Sequence, residues 1–356
     1  MEKTNCAKCV PRVAVWEITF KCNMNCLHCG TKAGEARETE LSTEEALSLC
    51  DELARLGCEV MILSGGEPLL RPDWPQLARR VKSNGIKLGM ITNGYLVTPE
   101  IARQMKEIGF GTVGVSFDGN EEVHNKIRRK RDSYEKVINA FRCLVQAGVR
   151  CCAVSQISGY NLGLLEEMRQ ILIANKVNAW QPQMTQLTGR MRDESSQKIL
   201  TGNDISILAE YVASIKNKPE LTVDTGENIG YYNHLEATLR DGYGFAGCHA
   251  GLRVIGIESN GNIKGCLSMP EEFVEGNIRQ RSLTEIWNDP ELFAYNRKFS
   301  KDLATGFCRE CPYLEQCRAG CGCTAYASSG NRYDNRFCLY RIEQEQPGCS
   351  ASAAKA

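Results

Sequence analysis

Three cysteines, Cys22, Cys26 and Cys29, fall within "KCNMNCLHCG" (21–30) at a C-x3-C-x2-C spacing. Three thiolates in one short loop can each take one iron of a cubane [4Fe–4S] cluster and leave the fourth iron without a protein ligand. An open iron invites a substrate or cofactor, by the logic that separates catalytic zinc sites from closed ones. Zinc completed by a residue such as His28, or a conventional cluster closed by a distant cysteine, fits the same spacing. A second constellation lies near the C-terminus. Cys248 is followed by Gly261 and Cys266, then by "CRECPYLEQCRAGC", which holds Cys308, Cys311, Cys317 and Cys321 at C-x2-C-x5-C-x3-C, and finally by Cys338. Seven thiolates exceed one site, whereas two cubanes take up to eight. A pair of zinc ribbons has the same thiol count. Cys6 and Cys9 form a further C-x2-C to which the sequence assigns no role.

These cysteines stand out because the rest of the composition is ordinary. The 356 residues contain 43 Lys and Arg against 43 Asp and Glu, so no charge excess points to nucleic acid or an anionic membrane. The first twenty residues lack the pattern of a signal peptide, and no apolar run is long enough to span a bilayer. A cytoplasmic location is expected. A reducing compartment does not keep disulfides, so 19 cysteines call for metal or cluster ligation. Cys50, Cys58, Cys143, Cys151 and Cys152 sit in apolar surroundings and read as buried small hydrophobes.

Strand-like and helix-like segments alternate from 13 to 216 and would position the first site. Strands are expected at 13–20, 59–64, 86–92, 112–117, 149–157 and 177–185. Helices are expected after each, the first capped by Ser42 with Glu45 and the third by Thr98 with Pro99. Six such units imply right-handed crossovers and a parallel sheet, either open or a partial barrel, with ligands at the C-terminal strand ends. The cysteine loop follows the first strand, "GGEP" (65–68) the second, "TNG" (92–94) the third and "SFDG" (116–119) the fourth, so four unusual loops share one face. The expected division is an extension (1–12), the six-unit domain (13–216), a linker (217–247), a cysteine-rich domain (248–340) with a hairpin turn at Asn260-Gly261, and a tail (341–356). The low-complexity end of that tail is expected to be disordered.

The ordered combination "CNMNCLHC", "GGEP" and six βα units resembles the radical S-adenosylmethionine superfamily, and the seven C-terminal cysteines resemble the SPASM domain that accompanies many of its peptide-modifying members. The resemblance implies a partial (β/α)6 TIM-like barrel followed by a small domain binding auxiliary iron–sulfur clusters. It implies that S-adenosylmethionine binds the open iron of a [4Fe–4S] cluster on Cys22, Cys26 and Cys29, and that the reduced cluster cleaves it to a hydrogen-abstracting 5′-deoxyadenosyl radical. Gly65, Gly66, Glu67, Pro68, Asn93, Ser116 and Gln183 become candidate cofactor contacts, with Ser155 and Gln156 weaker ones. Asp118 is a candidate reacting group, and an Asx-turn is its bland alternative. By the same analogy Cys308, Cys311, Cys317 and Cys338 close one auxiliary cluster, and Cys248, Cys266 and Cys321 hold the other. The fourth ligand of that second cluster stays open between Cys323, another cysteine, substrate and solvent.

The resemblance further implies a peptide or protein substrate, oxidatively modified, for example by a thioether or other crosslink, and a flavodoxin- or ferredoxin-type electron donor. About twelve residues precede the first strand, too few for a fused peptide-recognition domain, so leader binding is expected of a separate protein or of the barrel. A related enzyme acting on a small molecule or tetrapyrrole, as in haem-side-chain processing, is the nearest competitor. A non-catalytic electron-transfer or zinc protein is the competitor of another class. The basic run "KIRRKRD" (126–132) reads as a solvated face, with an acidic leader peptide as its alternative partner.

Overall fold

A computed structural model describes residues 9–345. Cys6 and the low-complexity end of the chain lie outside the described residues. Six parallel strands form the centre: β1 (Val13–Glu17), β2 (Val60–Ser64), β3 (Lys87–Thr92), β4 (Thr112–Ser116), β5 (Cys151–Ile157) and β6 (Ala179–Met184). They pair in sequence order, each with the next. The intervening helices are α1 (Thr43–Arg55), α2 (Trp74–Ser83), α3 (Pro99–Ile108), α4 (Glu121–Arg128), α5 (Ser133–Gln146) and α6 (Leu165–Ala174), followed by the short α7 (Gly189–Glu194) and α8 (Asn203–Ile215).

Local chemistry accounts for the helix ends. Ser42 and Glu45 form a reciprocal capping box on α1. Thr98 caps α3, which has Pro99 in its first turn and ends on left-handed Gly109 at φ 89°. Such an N-cap contributes about 1 kcal/mol. Strand alternation does the rest. Trp16, Met61, Leu63, Leu88, Met90, Val113, Val115 and Trp180 are buried, whereas Val15, Ile62, Ile91, Ser116, Val154, Gln156, Gln181 and Gln183 stand half-buried on the opposite side. The chain is a partial barrel whose second strand face remains accessible to a ligand.

The sheet continues beyond the six units. β7 (Thr222–Val223) pairs with β6 inside the segment expected as a linker, and β8 (Val254–Ile257) pairs in parallel with β1. β9 (Asn262–Lys264) and β10 (Gly276–Asn277) extend that edge antiparallel, giving the order β10-β9-β8-β1-β2-β3-β4-β5-β6-β7. Gly261, at φ 89°, makes the turn between β8 and β9. The cysteine-rich segment is therefore built onto the barrel sheet and does not hang from a linker.

One structural correction concerns 126–132. This run is not a uniformly solvated face, because it begins inside α4, where Ile127 and Arg128 are buried. Cys50, Cys58, Cys143 and Cys151 are buried and Cys152 is half-buried.

The loop after β2 packs on the exit from β1. Gly66 N–H donates to Thr19 O at 2.8 Å and Glu67 N–H to Lys21 O at 2.7 Å. A Cβ on Gly66 would lie 2.3 Å from Lys21 O and 2.5 Å from Phe20 O, so backbone, not a flexible side chain, bars any larger residue. Gly66→Ala should therefore lower the unfolding free energy by about 1–3 kcal/mol, read as a lower urea midpoint. Gly163→Ala, where nothing lies within 4 Å, should leave the midpoint nearly unchanged.

Candidate active site

Residues 21–34 have no regular secondary structure, so neighbours must fix their carbonyls and thiols. Cys22 N–H donates to Gly34 O at 2.7 Å, and Leu27 N–H donates to Ile127 O of α4 at 2.9 Å. From α7, Arg190 N–H donates to Cys29 O at 3.0 Å. Its guanidinium reaches Cys26 O at 2.8 Å and Ala33 O at 3.2 Å. Gly189 makes that approach, since a Cβ there would meet Cys29 O at 2.3 Å. Asn93 Nδ2 donates to Asn23 Oδ1 at 2.7 Å.

The three thiols sense one another. Burial pushes Cys22 up to about 11, with the charges of Cys26, Glu67 and Cys29 adding to it. Burial also raises Cys26, against the pull of Arg128. At neutral pH Cys22 and Cys26 keep their protons in the bare chain, and iron binding would expel them. Clustered, partly buried sulfurs of this kind fit an iron–sulfur cluster held on three sides.

Asp118 anchors the next layer. It is fully buried and forms an ion pair with Arg128. Its Oδ2 lies 3.1 Å from His28 Nε2 in the cysteine loop, and its Oδ1 accepts from Gln156 N–H at 2.9 Å. Burial opposes ionisation, yet Arg128 and His28 overcome it and hold the carboxyl well below the usual carboxylate range. Arg128 Nη1 in turn points at Cys26 Sγ, 3.8 Å away. The contacts of Asp118 are those of a group that positions the loop, in place of the free carboxylate a reacting group requires. His124 accepts from Asp118 N–H through Nδ1 at 3.1 Å, and burial lowers its imidazole to about 3, so it stays neutral.

Glu67 is also fully buried, with Oε1 accepting from Thr92 Oγ1 at 2.7 Å and Oε2 from Asn93 N–H at 2.8 Å. Its carboxylate wires the "GGEP" loop to "TNG". What that loop can offer a ligand is backbone carbonyl. The glycine pair likewise serves approach to residues 19–21, since a Cβ on Gly65 would lie 2.4 Å from Thr19 O. Pro68 is buried and starts a short 3-10 turn. Ser116, Gln156 and Gln183 share the half-buried face, with Ser116 beside Val154 and Gln156 beside Gln183 in register. Ser155 does not join them. It is fully buried on the other face, where its hydroxyl donates to Phe117 O and accepts from Trp180 Nε1.

The C-terminal thiols gather in two groups. Cys308, Cys311, Cys317 and Cys338 line one cavity with Tyr231, Phe307, Leu314, Ala319 and Asn335, enclosing about 290 Å³ of space partly open to solvent. Burial, then Cys338, Cys308 and Cys311, raise the Cys317 thiol. The other group is Cys248, Cys266, Cys321 and Cys323. Burial, then Cys248, push Cys321 up to about 11, and burial, then Cys266, Cys321 and Cys248, raise Cys323. Tyr231 stands between the groups, its ring lining the first and its hydroxyl accepting from Cys321 N–H at 3.0 Å. A cavity walled by four thiols fits a cluster with a protein ligand at each corner.

The model of the Radical SAM superfamily matches residues 16–171, and that of the SPASM iron–sulfur cluster-binding domain matches 248–312. The chain thus carries a radical SAM domain followed by a SPASM domain. Among its relatives is an AdoMet-dependent heme synthase of Methanosarcina barkeri, 29% identical over 93% of this chain and 97% of that one. Another is the mycofactocin maturase MftC of Mycobacterium tuberculosis, 28% identical over 87% of this chain and 78% of that one. The fold resembles Streptococcus suis SuiB bound to its precursor peptide SuiA, with a TM-score of 0.75 at 19% identity, covering 93% of this chain and 76% of that one. This radical SAM/SPASM chain therefore uses S-adenosylmethionine and iron–sulfur clusters.

Two groups of the radical SAM site escaped the sequence reading. Arg128 was hidden in a basic run, although Asn120 followed by Glu121 and Glu122 is an N-terminal helix signal and Val123 with Ile127 sits at helical spacing. Arg190 offered no signal, since its partners are backbone carbonyls distant in sequence.

Burial raises Glu67 from 4.5 to about 7 despite the donors around it. Between those values the folded chain holds a proton that the unfolded chain has released, so this carboxyl makes stability fall as pH rises from 4.5 to about 7 and adds no slope above that. Urea titrations across this window should show the fall in the native chain, and the difference from Glu67→Gln should isolate it. A difference independent of pH would refute the assignment.

Proposed function

We propose that this enzyme oxidatively modifies a side chain of a peptide or protein. The observation that carries this reading is the half-buried face of β5–β6, where Gln156 and Gln181 offer amide groups and no charge. Neutral amides complement a peptide backbone, whereas a tetrapyrrole bearing several carboxylates calls for Arg or Lys. The likeness to SuiB, solved with a precursor peptide, and the similarity to MftC support the same substrate class.

Cys22, Cys26 and Cys29 are assigned as ligands of the cluster that binds S-adenosylmethionine. Together these cofactors supply, when bound, a carbon radical able to abstract hydrogen. Asn93 and Ser116 contact the cofactor at the strand ends, together with backbone of residues 65–68, and Gln183 lies at the margin of that pocket. Asp118, Arg128 and Arg190 hold the cysteine loop in shape. After one hydrogen atom leaves the substrate, an electron and a proton must still leave to complete a two-electron oxidation. Cys308, Cys311, Cys317 and Cys338 would hold one auxiliary cluster and Cys248, Cys266 and Cys321, closed by Cys323, another, and such clusters would supply an acceptor for that electron. A flavodoxin- or ferredoxin-type protein supplies the first electron, and leader recognition falls to the barrel or to a separate protein.

A second reading, modification of a tetrapyrrole, is favoured by the near full-length match to the heme synthase. Anaerobic reconstitution separates the alternatives. The chain should take up about twelve irons, four per cubane, and produce 5′-deoxyadenosine with dithionite. Production should vanish when Cys22, Cys26 and Cys29 are all replaced by Ala. About four irons would overturn the auxiliary clusters, and cleavage surviving the triple change would overturn the site. A peptide encoded beside this gene should lose hydrogens during turnover. Conversion of an iron tetrapyrrole with the peptide unchanged would establish the second reading.

A further inference from the structure

We infer that Arg128 is a positioning residue that raises the reduction potential of the cluster on Cys22, Cys26 and Cys29 by holding a buried cation and an N–H donor against the Cys26 sulfur. The inference rests on the reading that Cys26 is a cluster ligand. Arg128 ends α4 and is 7% exposed. Its Nη1 lies 3.8 Å from Cys26 Sγ, and its other terminal nitrogen forms an ion pair with Asp118. Asp118 cannot follow a moving guanidinium, because Gln156 N–H at 2.9 Å and His28 at 3.1 Å hold its two oxygens. The loop cannot withdraw either, since Leu27 N–H is bonded to Ile127 O, one residue before the arginine.

Reduction adds a negative charge to a cluster. A cation and an N–H bond at one of its sulfurs therefore stabilise the reduced form more than the oxidised form, and low local dielectric strengthens the effect. Two features act in the opposite sense: the carboxylate of Asp118 and the carbonyl end of α4, which faces the same loop. Of these charged groups, the guanidinium is the one in contact with the sulfur, and it decides the sign.

Removing Arg128 alone would strand Asp118 as an unpaired buried charge and endanger the fold. The test variant is therefore Asp118→Asn with Arg128→Met, which leaves an oxygen for the Gln156 N–H and replaces the guanidinium by an apolar chain. Loss of the Asp118 charge by itself would raise the potential, so a fall in the double variant belongs to Arg128. The reconstituted full chain is titrated under EPR, following the reduced-cluster signal that S-adenosylmethionine perturbs. Iron content should equal that of the native chain, and the reduction equilibrium constant of that signal should fall at least tenfold, about 59 mV for a one-electron couple. Arg128→Lys, which keeps a cation and a donor beside the sulfur, should stay close to the native midpoint.

An unchanged midpoint with iron intact would overturn the inference, as would a Lys variant as low as the double variant. Loss of about four irons from the double variant would also overturn it, by showing that the pair merely holds the loop. A native chain without any signal responsive to S-adenosylmethionine sinks the functional reading itself. A responsive signal whose midpoint does not move sinks only this inference.

Discussion

A loop that must keep three thiols at fixed separations cannot do so with its own backbone when it has no helix or strand ladder. In this chain a buried ion pair shares that burden with Arg190 and with the backbone bonds of Cys22 and Leu27. Asp118, at the end of β4, and Arg128, at the end of α4, meet beneath the loop, and each touches it, through His28 and Cys26 respectively. Desolvating two charges is costly, and such a pair persists only where the remaining lone pairs and protons are also satisfied. The Gln156 N–H and the two loop residues supply most of that satisfaction. The guanidinium Nε stays without a partner. Loop geometry, the register of β4 with β5 and the placement of α4 are thereby coupled.

The other strand-end loops join the same frame by a second route. Residues 66 and 67 bond to the backbone of 19 and 21, Glu67 bonds to Thr92 and Asn93, and Asn93 bonds to Asn23 in the cysteine loop. The circuit closes on itself. Each member is fixed by two others, so the carbonyl and amide groups of these loops are set before any ligand binds, the preorganisation that a reactive site requires. The loop sequences that stood out, "GGEP" and "TNG", are conspicuous because small and polar residues are needed to build this circuit as well as to meet a ligand.

Much of this was legible in the sequence because the signals are local. Cysteine spacing marks the thiols that the structure brings together, and six βα units follow from caps, stops and apolar periodicity that act within a dozen residues. What the sequence did not disclose is non-local. The parallel pairing of β8 with β1 joins residues some 240 positions apart, and nothing in "LRVIGIESNGNIKGC" names its partner. Arg190 finds carbonyls of Cys26 and Ala33, which every residue type carries. The choice between Ser155 and Gln156 turned on strand parity, where a one-residue error exchanges the ligand face for the core.

The β8–β1 pairing also determines how the C-terminal cysteines relate to the first site. A flexible linker between two domains would leave the distance between clusters variable, and electron transfer or substrate bridging across it would depend on chance alignment. Here Gly256 of β8 sits so close to the backbone of Cys266 and Leu267 that a Cβ would meet Leu267 N at 2.4 Å. Cys266 is thus packed against a strand whose other neighbour, β1, leads directly into Cys22. Arg279, bonded to Glu45 of α1 at 2.6 Å and to Thr39 O at 2.8 Å, ties the far edge of the same segment to the barrel. Cys22 and Cys266 are therefore spaced by a continuous hydrogen-bonded sheet.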